Sequence, residues 1–280
     1  MKADGIVIGG GPAGMFAAIT AAEQGKKVLL LEKNHRLGKK LLITGKGRCN
    51  VTNATFDLQG LLEHIPTNPR FLYSAFSNFM PYDTIALMED LGVPTKIERG
   101  ERVFPVSDNA TDIVDALVRR AKHAGVQFLQ GTVERLELTE DGRRVQAVHL
   151  TDGRRLTCHS VAVCTGGCSY PATGSTGDGY TFALELGAAL SGMDWVSAYA
   201  GGINTGTFHK VLSANLYTNK QPIWVTMEGN RLTNEPVANS TDQSNAWNAA
   251  TDNLVYIIFN DAMLEDPSTI LYGAADLKAA

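Results

Sequence analysis

The chain has 280 residues, of which 44% are hydrophobic and 19% charged, with 25 Lys and Arg against 29 Asp and Glu for a formal net charge of −4. That much apolar material builds a sizeable core and excludes global disorder. With no basic excess to neutralise a phosphate backbone, a nucleic-acid partner is not expected.

Gly5 to Gly9 (Gly-Ile-Val-Ile-Gly) is a short apolar run bounded by glycine, which predicts a strand buried on both faces. Pro12 to Gln24 carries small and apolar residues at helical spacing, and Gly25 is a natural stop. Val28 to Leu31 predicts a second strand ending at Glu32, so residues 1–33 form one β-α-β unit with a right-handed crossover. Gly38 to Asn53 is polar and dotted with glycine, which suggests a functional loop rather than a packed element. Residues 57–125 read as a helical insertion over Phe71–Met80, Tyr82–Leu91 and Asp112–Ala124. Pro66, Pro69, Pro81 and Pro94 are its breakers, and helix-start chemistry lies between Ser107 or Asp108 and Asp112. Residues 126–192 begin with four short strands, Val126–Leu129, Thr132–Leu138, Arg144–Leu150 and Arg155–His159, with Asp141-Gly142 and Asp152-Gly153 as hairpin turns. Ser160 to Cys164 is a further buried strand that runs into Thr165-Gly166-Gly167, and a helix is expected over Tyr180–Leu190, capped by Thr176 or Asp178. Residues 193–280 are poorer in charge and read as a partial substrate or cap domain, and no repeat or low-complexity tract occurs.

The four cysteines (Cys49, Cys158, Cys164 and Cys168) are too few for a secreted disulfide framework, and their spacing makes no zinc site. Free thiols and no metal are therefore expected. No basic leader precedes an apolar core, and no apolar run approaches the roughly 18 residues of a membrane span, so the expectation is a cytoplasmic protein without membrane insertion.

Gly9-Gly10-Gly11-Pro12-Ala13-Gly14 matches G-x-G-x-x-G, and it has the required context of a strand before, a helix after and an acid, Glu32, at the end of the next strand. Gly9 permits the tight turn, Gly11 lets a pyrophosphate approach the backbone, and Gly14 lets helix and strand pack closely. The helix N-terminus that opens with Pro12 and Ala13 offers unpaired N–H groups, none of them from Pro12 itself, and positive charge to the phosphates. Glu32 can accept both hydroxyls of an adenosine ribose. The glycine pattern alone does not separate NAD from FAD, but the segment after Lys33 does. A basic, glycine- and amide-rich loop with Lys40, Gly47, Arg48, Cys49 and Asn50 suits a long ligand with a pyrophosphate, a ribityl chain and a hydrogen-bonding ring. Lys40 and Arg48 could offset phosphate charge, Asn50 could pair with ring heteroatoms, and Cys49 is either near such a ring or a packed thiol.

At these residues the chain resembles the aminoacetone-oxidase-like family of FAD-binding, NAD(P)/FAD-dependent oxidoreductases, which includes bile-acid-pathway members. The likeness covers residues 1 to about 190 and rests on Gly9–Gly14, Glu32-Lys33, Gly38–Asn53, Gly166–Pro171 and Thr173–Tyr180. It implies an α/β fold, a glutathione-reductase-like FAD-binding Rossmann domain over 1–192 with inserted helical and β-meander elements, followed by an incomplete second domain. It further implies that Thr132-Val133-Glu134 contacts the adenine through its backbone and that Thr165, Gly166 and Gly167 lie beside the dinucleotide. Asp178 reads either as a helix cap or as a flavin or substrate contact.

From Thr176 onward the chain also resembles the flavoproteins of the fumarate reductases and succinate dehydrogenases, through Thr176–Leu190, Met193-Asp194-Trp195, Pro222–Val225 and Glu228–Glu235. That likeness implies proton delivery near the Asn234-Glu235 pair, although the arginine expected after it is missing, and Glu235 is equally a surface carboxylate. His209 is the histidine of the presumed substrate region. Both families close over the flavin with a glycine-rich C-terminal segment, and this chain reaches Ala280 without one, so the second domain is expected to be partial. The function implied is hydride transfer between a small-molecule substrate and FAD, with NAD(P)H as a candidate reductant. The competing readings are a non-catalytic or truncated dinucleotide-binding fragment and a fumarate-reductase-like enoate reductase.

Overall fold

The computed structural model describes residues 2–65, 67–168, 175–193, 223–234, 245–247, 249–258, 260 and 262. The chain divides into two compact units, Met1–Leu190 and Ser191–Ala280.

The first unit opens with the expected β-α-β: β1 (Gly5–Ile8), α1 (Pro12–Glu23) and β2 (Val28–Glu32). Pro12 occupies the first turn of α1, where its missing N–H costs nothing, and Gly25 at φ +79° follows the helix. A 3₁₀ turn over Leu41–Gly47 leads to β3 (Thr52–Asn53), then α2 (Leu58–Glu63), α3 (Tyr73–Asn78) and α4 (Pro81–Asp90). Next come β4 (Thr95–Glu98), β5 (Arg102–Pro105), α5 (Ala110–His123) and β6 (Gln127–Gln130). The meander β7 (Val133–Leu138), β8 (Val145–Leu150) and β9 (Arg155–Thr157) precedes β10 (Ser160–Val163) and α6 (Asp178–Glu185).

The central sheet has the order β10-β1-β2-β6, and every pair in it is parallel. Side-chain alternation along the strands divides the core into two layers. Val7, Val28 and Leu30 join Met15, Ala18 and Ile19 of α1 and Ile113, Ala116 and Leu117 of α5 on one face. Ile6, Ile8, Leu29 and Leu31 join Val148, Leu150 and Leu156 of the meander and Phe182 of α6 on the other. This is a mixed α/β fold of the glutathione-reductase type, with the sheet between helices and a meander.

Several local expectations are corrected. Residues 57–125 are not purely helical, because β4 and β5 form an antiparallel hairpin and β3 extends it to a three-stranded sheet. Pro81 starts α4 rather than breaking a helix. Phe71–Met80 is divided between a 3₁₀ turn over Pro69–Leu72 and the short α3. The cap of α5 is Asn109, whose side chain accepts from the Thr111 N–H at 2.9 Å. Helix α6 begins before Tyr180 and ends at Glu185, because Gly187 takes φ +83° there. Its N-cap is Gly177, with no side-chain cap from Thr176 or Asp178. The segment 38–53 is also more packed than a loop, since Leu41, Leu42 and Val51 press on the helical face of the core and Cys49 is buried within it. All four cysteines are free.

In the second unit, β11 (Ile223–Thr226) pairs antiparallel with β12 (Val255–Ile258). Trp224 is buried and meets Trp247 edge to face at 5.2 Å. Among the described residues, no helix is long and apolar enough to cross a membrane.

Leu30 is fully buried between α1 and α5, so Leu30→Ala should destabilise the first unit by about 2–5 kcal/mol in denaturant titration. Ile97→Ala, at a half-exposed strand position, should change stability by less than about 0.5 kcal/mol.

Candidate functional site

In an open parallel sheet, ligands collect outside the carboxyl ends of the strands, where the order reverses. Here β1 is followed in sequence by β2 on one side, while β10 joins it on the other, and a cavity of about 730 Å³ opens at their carboxyl ends. That volume lies within the roughly 300–1,000 Å³ of small-molecule sites. Ile8, Leu31, Val163 and Phe182 give it apolar walls, and the first glycine turn, Glu32 and the Lys39–Thr44 segment supply the polar ones.

The glycines of the turn fill different roles. Gly9 takes φ +109°, and a Cβ on it would lie 2.4 Å from the Cys164 carbonyl oxygen. A Cβ on Gly14 would lie 1.8 Å from the Gly9 carbonyl oxygen. Both positions are closed to any side chain by backbone. Around Gly11 nothing lies within 4 Å of such a Cβ, so the turn is open there to a ligand. Gly11 is also the N-cap of α1 with no side-chain partner, which leaves the first N–H groups of the helix free for an anion.

Glu32 lines the cavity with its carboxylate fixed by the turn. Oε2 accepts from the Gly10 N–H at 2.7 Å, and Oε1 accepts from the Asn34 N–H at 2.8 Å and the Asn34 side-chain amide at 2.6 Å. Oε2, with one bond, keeps a lone pair for a further donor such as a ribose hydroxyl, whereas Oε1 is already filled by its two. Gly131, whose N–H donates to the Glu32 carbonyl at 3.0 Å, and Val133 complete this end. The β7–β8 register slips just after Val133, a bulge of the kind that re-aims a strand at a site.

The Lys33 ammonium reaches across to the start of α6, donating to Thr176 Oγ1 at 2.6 Å and Asp178 Oδ2 at 2.8 Å. Burial alone would raise the Asp178 carboxyl, but the Lys33 ammonium and the Thr176 hydroxyl outweigh it and hold it below the usual carboxylate range. Burial pushes up the Cys164 thiol on the cavity wall, so it stays protonated at neutral pH.

Of the residues singled out from sequence, Gly9, Gly11, Pro12, Ala13, Glu32, Lys33, Lys40, Val133, Thr165, Gly166 and Asp178 meet around this cavity. Gly14 packs beneath it, and Gly47 and Gly167 do not line it. Arg48 points elsewhere. Its guanidinium forks onto Glu98 at 3.2 and 2.6 Å, lies 3.3 Å from Asp108 and stacks 3.8 Å from the centroid of Phe104. Cys49 is buried in the helical layer of the core at φ +62°, and burial, opposed by a weaker bond from Thr44, raises its thiol. The Asn50 side-chain amide lies against the Thr52 and Val103 carbonyls, and the orientation that pairs both of its ends has its nitrogen donating to them at 3.0 and 3.2 Å. His209 and Glu235 lie outside the described residues. The cavity also uses Asn34, Gly131, Ser175 and Tyr180, which sequence reasoning passed over. Gly131 had a signal, since it follows β6 at the same sheet edge as Glu32; Ser175 had none.

A parallel sheet between helices and a meander, with this glycine turn and acid at its carboxyl edge, defines a Rossmann-type dinucleotide-binding domain. The model of the HI0933-like protein Rossmann domain matches residues 3–222, and the chain belongs to this FAD-binding family of flavin oxidoreductases. It is 34% identical over 188 residues to the 3-dehydro-bile acid delta(4,6)-reductase of Clostridium scindens, covering 66% of this chain and 44% of that protein. It is equally 34% identical over 185 residues to the ribosomal RNA dihydrouridine synthase of Escherichia coli, again 66% of this chain and 44% of that protein. The chain thus spans about half the length of the curated relatives it matches. A flavocytochrome c3 fumarate reductase in its open conformation shares the fold with a TM-score of 0.62 at 22% identity, covering 94% of this chain and 53% of that one.

Two expectations follow from the geometry. Gly11→Ala should leave the melting temperature within about 2 °C of the parent while weakening dinucleotide binding at least tenfold, whereas Gly14→Ala should lower the melting temperature itself. Because the folded Asp178 carboxyl titrates below its unfolded value, the Lys33–Asp178 pair stabilises the fold above the ordinary carboxylate pKa and loses that contribution as pH falls from there through the lower folded value. Asp178→Asn should therefore be less stable than the parent near pH 7, with the gap closing below about pH 4 in thermal melts.

Proposed function

We propose that the chain binds FAD along the carboxyl edge of the central sheet and transfers a hydride between the flavin and a small-molecule substrate, with NAD(P)H as the reductant. The observation that carries this reading is the open space at Gly11, directly before the uncapped N-terminus of α1 and in one cavity with Glu32. The residues fit the cofactor. The Gly11 and Ala13 N–H groups would hold the diphosphate, the Glu32 carboxylate the ribose, and the Gly131–Val133 strand edge the adenine. When bound, the flavin supplies a two-electron carrier, and the protein contributes orientation and exclusion of water. Ile8, Leu31, Val163 and Phe182 do the latter by lining the cavity with carbon.

The two relatives reported above are named a delta(4,6)-reductase and a dihydrouridine synthase, names that point to reduction of a carbon–carbon double bond. This supports a substrate with a double bond activated by a neighbouring carbonyl, to which a hydride and a proton are added. The net charge of −4 supports a small molecule over an RNA.

Purified chain mixed with FAD and desalted should keep flavin absorbance, lose it anaerobically with NADH or NADPH, and regain it on addition of an α,β-unsaturated ketone. Absence of retained flavin overturns the reading. Retention without bleaching leaves a dinucleotide-binding module and removes the catalytic assignment.

A further inference from the structure

Two polar groups of the cavity wall have no partner among the described residues. The Ser175 hydroxyl is 4% exposed, lines the cavity and makes no hydrogen bond. A buried hydroxyl left unpaired has lost its water without recompense, and such groups in native proteins commonly await a ligand or a bound water. The Lys40 ammonium stretches over Gly166, close enough that a Cβ there would lie 2.4 Å from Nζ, and it forms no ion pair among the described residues. Its basic neighbours are occupied. Lys33 is held by Thr176 and Asp178, Lys39 donates to Asn34 at 3.3 Å, and Arg48 is held by Glu98 and Asp108. Both free groups belong to the β10 side of the cavity. Lys40 lies on Gly166, and Ser175 leads into Gly177, where a Cβ would lie 3.4 Å from Cys168 Cβ.

A diphosphate in this cavity needs more than the glycine turn supplies. A helix N-terminus offers about half an elementary charge, and Gly11, Pro12 and Ala13 bring no cation. We propose that Lys40 and Ser175 form a second phosphate contact, on the β10 side, in which the ammonium pairs with a diphosphate oxygen and the hydroxyl donates to it. The dinucleotide is then gripped from two sides, by α1 and by this pair. The inference rests on the FAD reading and adds two positioning residues to it.

Calorimetric titration of the full chain with ADP and with adenosine tests the assignment. Lys40→Met should weaken ADP about tenfold and flatten the salt dependence of its binding, with adenosine unchanged. Ser175→Ala should weaken ADP by about fivefold, again sparing adenosine, and the free variant should melt no lower than the parent because no protein contact is lost. Lys26→Met, a charge removed at the opposite end of β2, should bind ADP as the parent does. Parent-like ADP binding by Lys40→Met and Ser175→Ala, or equal losses for ADP and adenosine, overturns the second contact. A lower melting temperature for Ser175→Ala does the same, since it exposes a structural partner for the hydroxyl. A parent chain that binds neither ADP nor FAD overturns the FAD reading as well.

Discussion

Backbone of the β10 exit lies against backbone of the first glycine turn, and the rest of the site depends on that contact. A side chain at Gly9 would strike the Cys164 carbonyl and the Thr165 Cα, and one at Gly14 would strike the Gly9 carbonyl. The approach brings the carboxyl ends of β1 and β10 to one point, with α1 leaving from it. Only where this packing stops, at Gly11, does space open. The cavity is therefore the place where close packing between two strand exits and a helix ends.

Electrostatics then orients what the packing has placed. Glu32 would be a freely rotating carboxylate at a strand end, but three donors from Gly10 and Asn34 hold both its oxygens. Because the Gly10 N–H belongs to the turn itself, the acid and the phosphate-facing glycines are positioned as one piece. On the other side, Lys33 reaches from the end of β2 to the first residue of α6. That pair is partly exposed, so its energetic value is modest. It nonetheless joins segments far apart in the chain and sets where α6, with Ser175 before it, meets the cavity.

The sequence made legible what depends on short-range pattern. The apolar runs at Ile6–Ile8 and Leu29–Leu31 alternate between two buried layers, which is why they read as strands covered on both faces. The glycine roles were legible because each follows from one missing Cβ. What depends on distant partners was not. The β4–β5 hairpin is short and charged, with Lys96, Glu98 and Arg102 in its strands, so no apolar alternation announces it. Arg48 looked available to a phosphate because nothing near it in sequence shows Glu98 and Asp108 folding alongside. The end of α6 was misplaced because apolar residues continue to Leu190, whereas Gly187 in the left-handed region already turns the backbone away.

The segment 38–53 shows how one stretch of chain can serve two surfaces. Gly38 sits at φ +68°, where a side chain would meet Val114 of α5 at 2.8 Å. From there Lys39, Lys40, Leu41 and Thr44 turn toward the cavity. Gly45, Gly47 and Cys49 all take positive φ, and over these residues the chain reverses direction. Its second half consequently faces the β3-β5-β4 sheet, with Arg48 stacked on Phe104 and Asn50 against the Thr52 and Val103 carbonyls. The distinctive Gly-Arg-Cys-Asn run is thus a structural anchor. It fixes the far end of the loop so that the near end, with its one unpaired ammonium among the described lining residues, is presented to the ligand at a defined place.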